Sequence, residues 1–145
     1  MSVDDVLPAL EQELAAMWRR ARAAGRAAAR ELHPRLDPTA YPLVLLLFEA
    51  GPLRMSDLAA GLLLDKSTVT RQVDAAARLG LVERTTDPGD ARARLVALTP
   101  AGRDRLTALL TERRTHWRAA LASWDRDEVV ALTRLLHKLG NTGIG

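Results

Sequence analysis

Residues 53–102 constrain this chain more than any other stretch. They read LRMSDLAAGLLLDKSTVTRQVDAAARLGLVERTTDPGDARARLVALTPAG. Two short helical patterns meet at a tight connection, the spacing of a helix–turn–helix. Two strand-like runs follow, joined by Asp87-Pro88-Gly89-Asp90, with Arg92 and Arg94 just past the turn. A short helix that fits a major groove, beside a cationic hairpin, is suited to duplex DNA.

The local signals place each piece. Asp65 is positioned to cap a helix over residues 66–79, closed by Gly80. On it Val69, Val73, Ala76 and Ala77 face inward, while Lys66, Ser67, Thr68, Thr70, Arg71, Gln72 and Arg78 are polar and mostly point elsewhere. Ser56 is read as the cap of the shorter helix before it, over residues 57–62. Pro88-Gly89 suits the middle of a type II turn, with glycine supplying the positive φ. Period-two alternation puts Arg92 and Arg94 on one face of the second strand. A short extra strand is expected near residues 52–55.

The flanks are helical. Leu7, Leu10, Leu14, Met17, Ala21, Ala24, Ala28 and Leu32 recur every three or four residues, one stripe of a long first helix. His33-Pro34 ends it. Thr39 is read as the cap of a second helix, residues 40–50, whose run LVLLLF is apolar nearly all round and should be buried. Thr99-Pro100 opens a long helix marked by Leu106, Leu109, Leu110, Trp117 and Leu121. Asp125 with Glu128 forms a capping box for the last one, ended by Gly140, beyond which the tail should fray. The long terminal stripes have too little middle domain to cover them, which points to a homodimer.

Composition narrows the function classes. The chain of 145 residues is 48% hydrophobic and 27% charged, suited to one domain or two small lobes. No run of eighteen apolar residues and no cationic leader is present, so no membrane partner and a cytoplasmic setting are expected. There are no cysteines, which removes disulfides, thiolate metal sites and thiol sensing. His33, His116 and His137 are scattered, so no metal site is expected, and no cofactor. Residues 18–35 hold six arginines against Glu31, a local balance of +5 within a net charge of +3. That run reads as a solvated face, with anion binding or repulsion from a second copy as other readings. No Ser–His–Asp set, phosphate-binding glycine loop or paired carboxylates appear, so no enzyme is expected.

With these pieces in order, the chain resembles the MarR (multiple antibiotic resistance regulator) family of transcription factors over roughly Leu10 to Leu139. The hairpin Asp87-Pro-Gly-Asp90-Ala-Arg92, followed by Leu95-Val-Ala-Leu98-Thr99-Pro-Ala-Gly102, is similar to the family pattern D-x-x-D-x-R, then x-V-x-L-T-x-x-G. Lys66-Ser-Thr-Val-Thr-Arg71, Leu79-Gly80-Leu81-Val82 with Arg84, and Gly51-Pro-Leu with Ser56-x-Leu58-Ala59 complete it. Ala91 departs from the pattern, since many members carry a second arginine there.

The resemblance implies a mainly α fold with a small β-hairpin wing: a winged helix–turn–helix at residues 37–100, flanked by dimerisation helices at 1–36 and 101–145. It implies a homodimeric transcriptional regulator, a repressor, on pseudo-palindromic operator DNA. It also implies an effector pocket between dimer region and DNA-binding lobe, taking a small aromatic or lipophilic compound that releases DNA. The expected DNA-facing residues are Lys66, Ser67, Thr68, Thr70, Arg71, Gln72, Asp90, Arg92 and Arg94. Arg92 resembles a wing-tip arginine entering the minor groove, with Asp90 holding it by an ion pair. Arg54 and Arg84 read first as surface ion-pairing residues and second as supporting contacts. Trp18, Trp117 and Trp124 read first as dimer core; Trp18 and Trp117 are the candidates for lining an effector pocket. Two other functions fit the same fold: a winged-helix protein-interaction module without DNA binding, and a small-molecule binding or sequestering protein.

Overall fold

The computed structural model describes residues 1–143. Its elements are α1 (Val3–Leu32), a 3-10 turn (Pro38–Ala40), α2 (Tyr41–Ala50), β1 (Leu53–Arg54), α3 (Met55–Leu62), α4 (Lys66–Arg78), β2 (Val82–Asp87), β3 (Asp90–Leu98), α5 (Pro100–Ala120) and α6 (Arg126–Gly140). The protein is mainly helical, with one three-stranded antiparallel sheet in the order β1-β3-β2. Two compact units are present, residues 1–109 and Leu110 onward. Among the described residues no helix is long and apolar enough to cross a membrane.

The first unit owes its core to the expected faces. Leu43, Val44 and Leu47 of α2 are fully buried, as are Leu58 of α3, Val69, Val73 and Ala76 of α4, and Leu106 of α5. The sheet contributes Val96, and α1 contributes only its last turns, through Ala28, Ala29 and Leu32. No charged or polar residue is buried among the described residues, so the hydrophobic effect stabilises this core without buried ionic groups to offset. The earlier part of the α1 stripe is uncovered: Leu7, Leu10 and Met17 are exposed. Pro8 lies in the second turn of α1, where it deletes one helical hydrogen bond at a solvent-facing end.

Several caps differ from the sequence expectation. Asp37, not Thr39, caps the start of the second helical segment. Its Oδ1 accepts the Thr39 N–H (2.9 Å) and the Thr39 hydroxyl (2.8 Å), which winds residues 38–40 into a 3-10 turn before α2 begins. Ser56 lies inside α3, whose first flanking residue is Arg54, because β1 leads directly into the helix. The turn between α3 and α4 passes through Leu63 at φ 56°, a conformation usually left to glycine. Asp65 caps α4 as expected, and the Asp125–Glu128 box holds α6, the Asp125 N–H donating to Glu128 Oε1 (3.0 Å).

Thr99 joins hairpin to helix. Its hydroxyl accepts the Gly102 N–H (3.0 Å) and donates to the Gly80 carbonyl (2.6 Å), while its own N–H donates to the Leu81 carbonyl (3.0 Å). Gly102 is needed here for closeness: a Cβ would lie 2.2 Å from the Leu81 carbonyl oxygen.

In the second unit, α6 buries none of its residues, and Val130, Leu132, Leu135 and Leu136 are exposed. The tail does not fray at once, since Asn141 and Thr142 N–H groups bond back into the last turn. The expectation for Ile144 and Gly145 lies outside the described residues.

Candidate nucleic-acid interface

Helix α4 presents its polar face through a network centred on Asp65. The Asp65 carboxylate accepts the Ser67 hydroxyl, the Thr68 hydroxyl (2.6 Å) and the Thr68 N–H (3.0 Å). These three donors, the Ser67 hydroxyl foremost, hold the Asp65 carboxyl well below the usual carboxylate range. Thr70 donates its hydroxyl to the Lys66 carbonyl (2.8 Å). The hydroxyl protons of Ser67, Thr68 and Thr70 are therefore all engaged locally, leaving their oxygens as acceptors. Arg71 leans on Thr68 through one guanidinium nitrogen (3.2 Å) and stays exposed. Lys66 is exposed at the first turn. Lys66 and Arg71 are thus cations that the first two turns of this face offer outward, and Arg78 in the last turn is exposed as well.

Gln72, expected in the same outward set, is turned inward. Its Nε2 donates to the Thr39 carbonyl (3.2 Å), and its Oε1 is buried with no hydrogen-bond partner among the described residues. The sequence pattern treats any polar residue on an amphipathic helix as solvent-facing. A bond to a residue 33 positions away is invisible to it.

The hairpin departs from expectation in its turn and its pairing. Gly89 does not take a positive φ, so the turn is not type II. Instead Asp87 Oδ1 accepts the Gly89 N–H (2.9 Å), a side-chain-closed turn that sets the bend itself. Asp90 makes no ion pair with Arg92. Its Oδ1 accepts the Arg92 backbone N–H (3.0 Å), which fixes the strand start and does not engage the guanidinium. Arg92 and Arg94 are both exposed, and among the described residues neither joins an ion pair.

Two ion pairs brace this hairpin, and they use Arg54 and Arg84. Arg54 donates from Nε (3.2 Å) and Nη2 (2.8 Å) to one oxygen of Asp87, tying β1 to the hairpin tip. The Gly89 N–H first and Arg54 second keep the Asp87 carboxyl below its ordinary value. Arg84 on β2 pairs with Asp74 on α4 (2.5 Å), tying the hairpin to the helix. Arg54 and Arg84 are therefore neutralised locally, while Lys66, Arg71, Arg92 and Arg94 keep their charge available.

A separate cleft of about 750 Å3 lies within the first unit, between α1 and the segment leading into α2. Trp18, Arg22, Gly25 and Arg26 line it from α1, facing Pro38, Thr39, Tyr41 and Pro42. Of the two tryptophans expected at a pocket, Trp18 lines this cleft and Trp117 does not. The sequence pattern does not single out Arg22, Arg26 or Tyr41, although Trp18, Arg22 and Arg26 at four-residue steps mark one helix face. Among the described residues, no cluster of three metal-ligating side chains occurs.

Residues 36–93 match the MarR family. The HTH-type transcriptional regulator YxaD of Bacillus subtilis is 32% identical over 109 residues, covering 75% of this chain and 76% of its own. The chain belongs to the MarR family. The HTH-type transcriptional repressor NicR of Pseudomonas putida is 28% identical over 106 residues, covering 73% of this chain and 67% of its own. A MarR family protein from Bacillus stearothermophilus superimposes with a TM-score of 0.77 at 25% identity, over 97% of this chain and 96% of that one. BpsR of Bordetella bronchiseptica shares the fold at a TM-score of 0.61 and 23% identity, over 88% of this chain and 93% of its own. DNA binding by BpsR is regulated by 6-hydroxynicotinic acid. As a MarR-family transcriptional regulator, this chain carries α3 and α4 as its helix–turn–helix and β2–β3 as its wing.

Proposed function

We propose that the protein is a homodimeric repressor that binds pseudo-palindromic duplex DNA and releases it when a small organic effector binds. The observation that carries this reading is the placement of exposed cations on both α4 and the wing. Among the described residues, Lys66 and Arg71 on α4, and Arg92 and Arg94 on the wing, join no ion pair, whereas the arginines that brace the wing do. Helix α4 would enter the major groove, with Arg71 reading a base edge or holding a phosphate. Arg92 would enter the neighbouring minor groove, whose narrow A·T stretches attract cations. Ser67, Thr68 and Thr70 would contribute as acceptors, and Asp90 would act by shaping the strand at Arg92.

Dimerisation is proposed to use α1, α5 and α6. The exposed Leu10 and Met17 on α1, and Leu135 and Leu136 on α6, support it, since soluble monomers rarely leave long apolar stripes uncovered. The cleft supports the effector part. Its volume falls in the range of small-molecule sites, and its aromatic and proline walls with two arginines suit a flat organic acid. BpsR offers the analogy of a fold neighbour regulated by such a compound. A cytoplasmic, non-enzymatic role follows from this reading.

The test is selection of bound duplexes from a random library by the wild-type protein, followed by footprinting. Recovery of a two-fold related sequence protected over both half-sites is the expected result. Recovery of no enriched sequence would contradict it.

A further inference from the structure

Gln72 ties the recognition helix to the segment that leads into α2. Its side chain leaves the recognition helix and bonds the Thr39 carbonyl, and Thr39 forms part of the cleft wall. The segment it reaches is tied together. Asp37 holds both the N–H and the hydroxyl of Thr39, so Asp37, Pro38 and Thr39 form one clamped turn, and all three line the cleft.

The Gln72 Oε1 is buried with no partner among the described residues, which costs free energy that an apolar side chain of similar length would avoid. In this conformation neither amide atom is free to read a base edge, because the Nε2 is engaged with Thr39 and the Oε1 is buried. A bond that ties α4 to the cleft wall explains a polar residue at this place.

We infer that Gln72 is the positioning residue that couples occupancy of the Trp18–Tyr41 cleft to the recognition helix. The cleft ligand is a flat organic acid, its carboxylate facing Arg22 and Arg26. This rests on the reading of the cleft as the effector site. Filling the cleft presses on the Pro38–Thr39 wall, the Gln72 bond passes that shift to α4, and the helix loses its fit to the groove. Allostery requires such a differential contact between two states, and coupling of this kind commonly changes affinity by about 5- to 150-fold.

The cleft can be filled without a ligand. Gly25 lines it, and a Cβ built there meets nothing within 4 Å. Gly25→Phe therefore places a ring in the cleft from α1, and Ala21→Phe does so from one turn away. Gln72→Met keeps the side-chain length and removes the bond to Thr39. The four proteins of the cycle, wild type, G25F, Q72M and G25F/Q72M, are titrated with the duplex selected by wild type, with circular dichroism as folding control. The expected result is a loss on the order of tenfold for G25F in the wild-type background and none in the Q72M background. A21F, tested in both backgrounds, repeats the cycle if G25F does not fold.

Equal losses in both backgrounds would overturn the coupling. So would no effect of either filling variant on wild type, or a Q72M affinity already as low as that of G25F, which would make Gln72 a direct contact. Selection of no duplex by wild type would instead defeat the DNA-binding reading from which the coupling follows.

Discussion

Arg54 grips one carboxylate oxygen of Asp87 with two nitrogens, at 3.2 and 2.8 Å, and so anchors the wing tip to the strand that opens the helix–turn–helix. The same carboxylate closes the turn through its other oxygen, which accepts the Gly89 N–H. One side chain thereby sets both the bend of the wing and its attachment. Arg54→Ala and Asp87→Ala should each weaken binding to selected DNA by about two- to fivefold, the scale of an exposed ion pair with added geometry. The double variant should be little worse than Asp87→Ala alone. Additive losses in a double-mutant cycle would show that Arg54 acts on DNA directly.

Acid should unfold the protein through a small set of carboxylates. Asp37, Asp65 and Asp87 all have folded values below their ordinary ones, from hydrogen bonds to Thr39, to Ser67 and Thr68, and to Gly89 and Arg54. Each stabilises the fold above its unfolded pKa, near 3.9 for aspartate, and that contribution is lost as pH falls through the folded value. Stability from these groups should be level from neutral pH to about 5 and fall below about 4. Denaturant titrations across pH would check it, with Asp65→Asn giving a shallower acid limb. An acid limb identical to wild type would show that the Asp65 bonds do not persist in solution.

Gly102 allows α5 to start against the backbone of Leu81, with no room for a methyl group. Gly102→Ala should destabilise by roughly 1–3 kcal/mol, the usual cost of forcing atoms into a packed site. Urea unfolding measures this. A neutral substitution would mean that the α5 start shifts freely.

Much of the fold is legible in the sequence because its signals are local. The Asp65 cap, the Asp125–Glu128 box, the short strand at Leu53–Arg54 and the buried faces of α2 and α4 depend on residues within a few positions of one another. What the sequence hides depends on choices between neighbours or on distant pairs. Asp37 outcompetes Thr39 as cap because a carboxylate can accept two bonds from Thr39 at once. The Asp87 side chain closes the wing turn in a way that a Pro-Gly pattern alone does not reveal. The Arg54–Asp87 and Gln72–Thr39 bonds each span 33 residues, so no periodicity announces them. Trp18 stands out as a large ring on an exposed helix, but Arg22 and Arg26 merge into a general basic run until the cleft places them beside it.

The uncovered stripes of α1 and α6 predict a dimer at low micromolar concentration. Light scattering should give twice the chain mass. Leu135→Glu, which places a charge on the exposed apolar side chain of α6, should shift the protein toward monomer. A wild-type monomer under these conditions would contradict the homodimeric reading.

Arg92 is the exposed wing cation whose backbone is fixed by Asp90 and whose guanidinium joins no ion pair among the described residues. Arg92→Glu removes no core contact and should leave stability within about 0.5 kcal/mol of wild type. Fluorescence anisotropy on the selected duplex, across a salt series and with circular dichroism alongside, measures its part in binding. Affinity should fall by on the order of a hundredfold at moderate salt, and the slope of log affinity against log salt should shrink by about 1. Asp90→Ala should cost less, because it frees the strand without reversing a charge. Wild-type affinity and an unchanged salt slope for Arg92→Glu would show that the wing does not touch DNA, and a winged-helix protein-interaction module would then be the better reading.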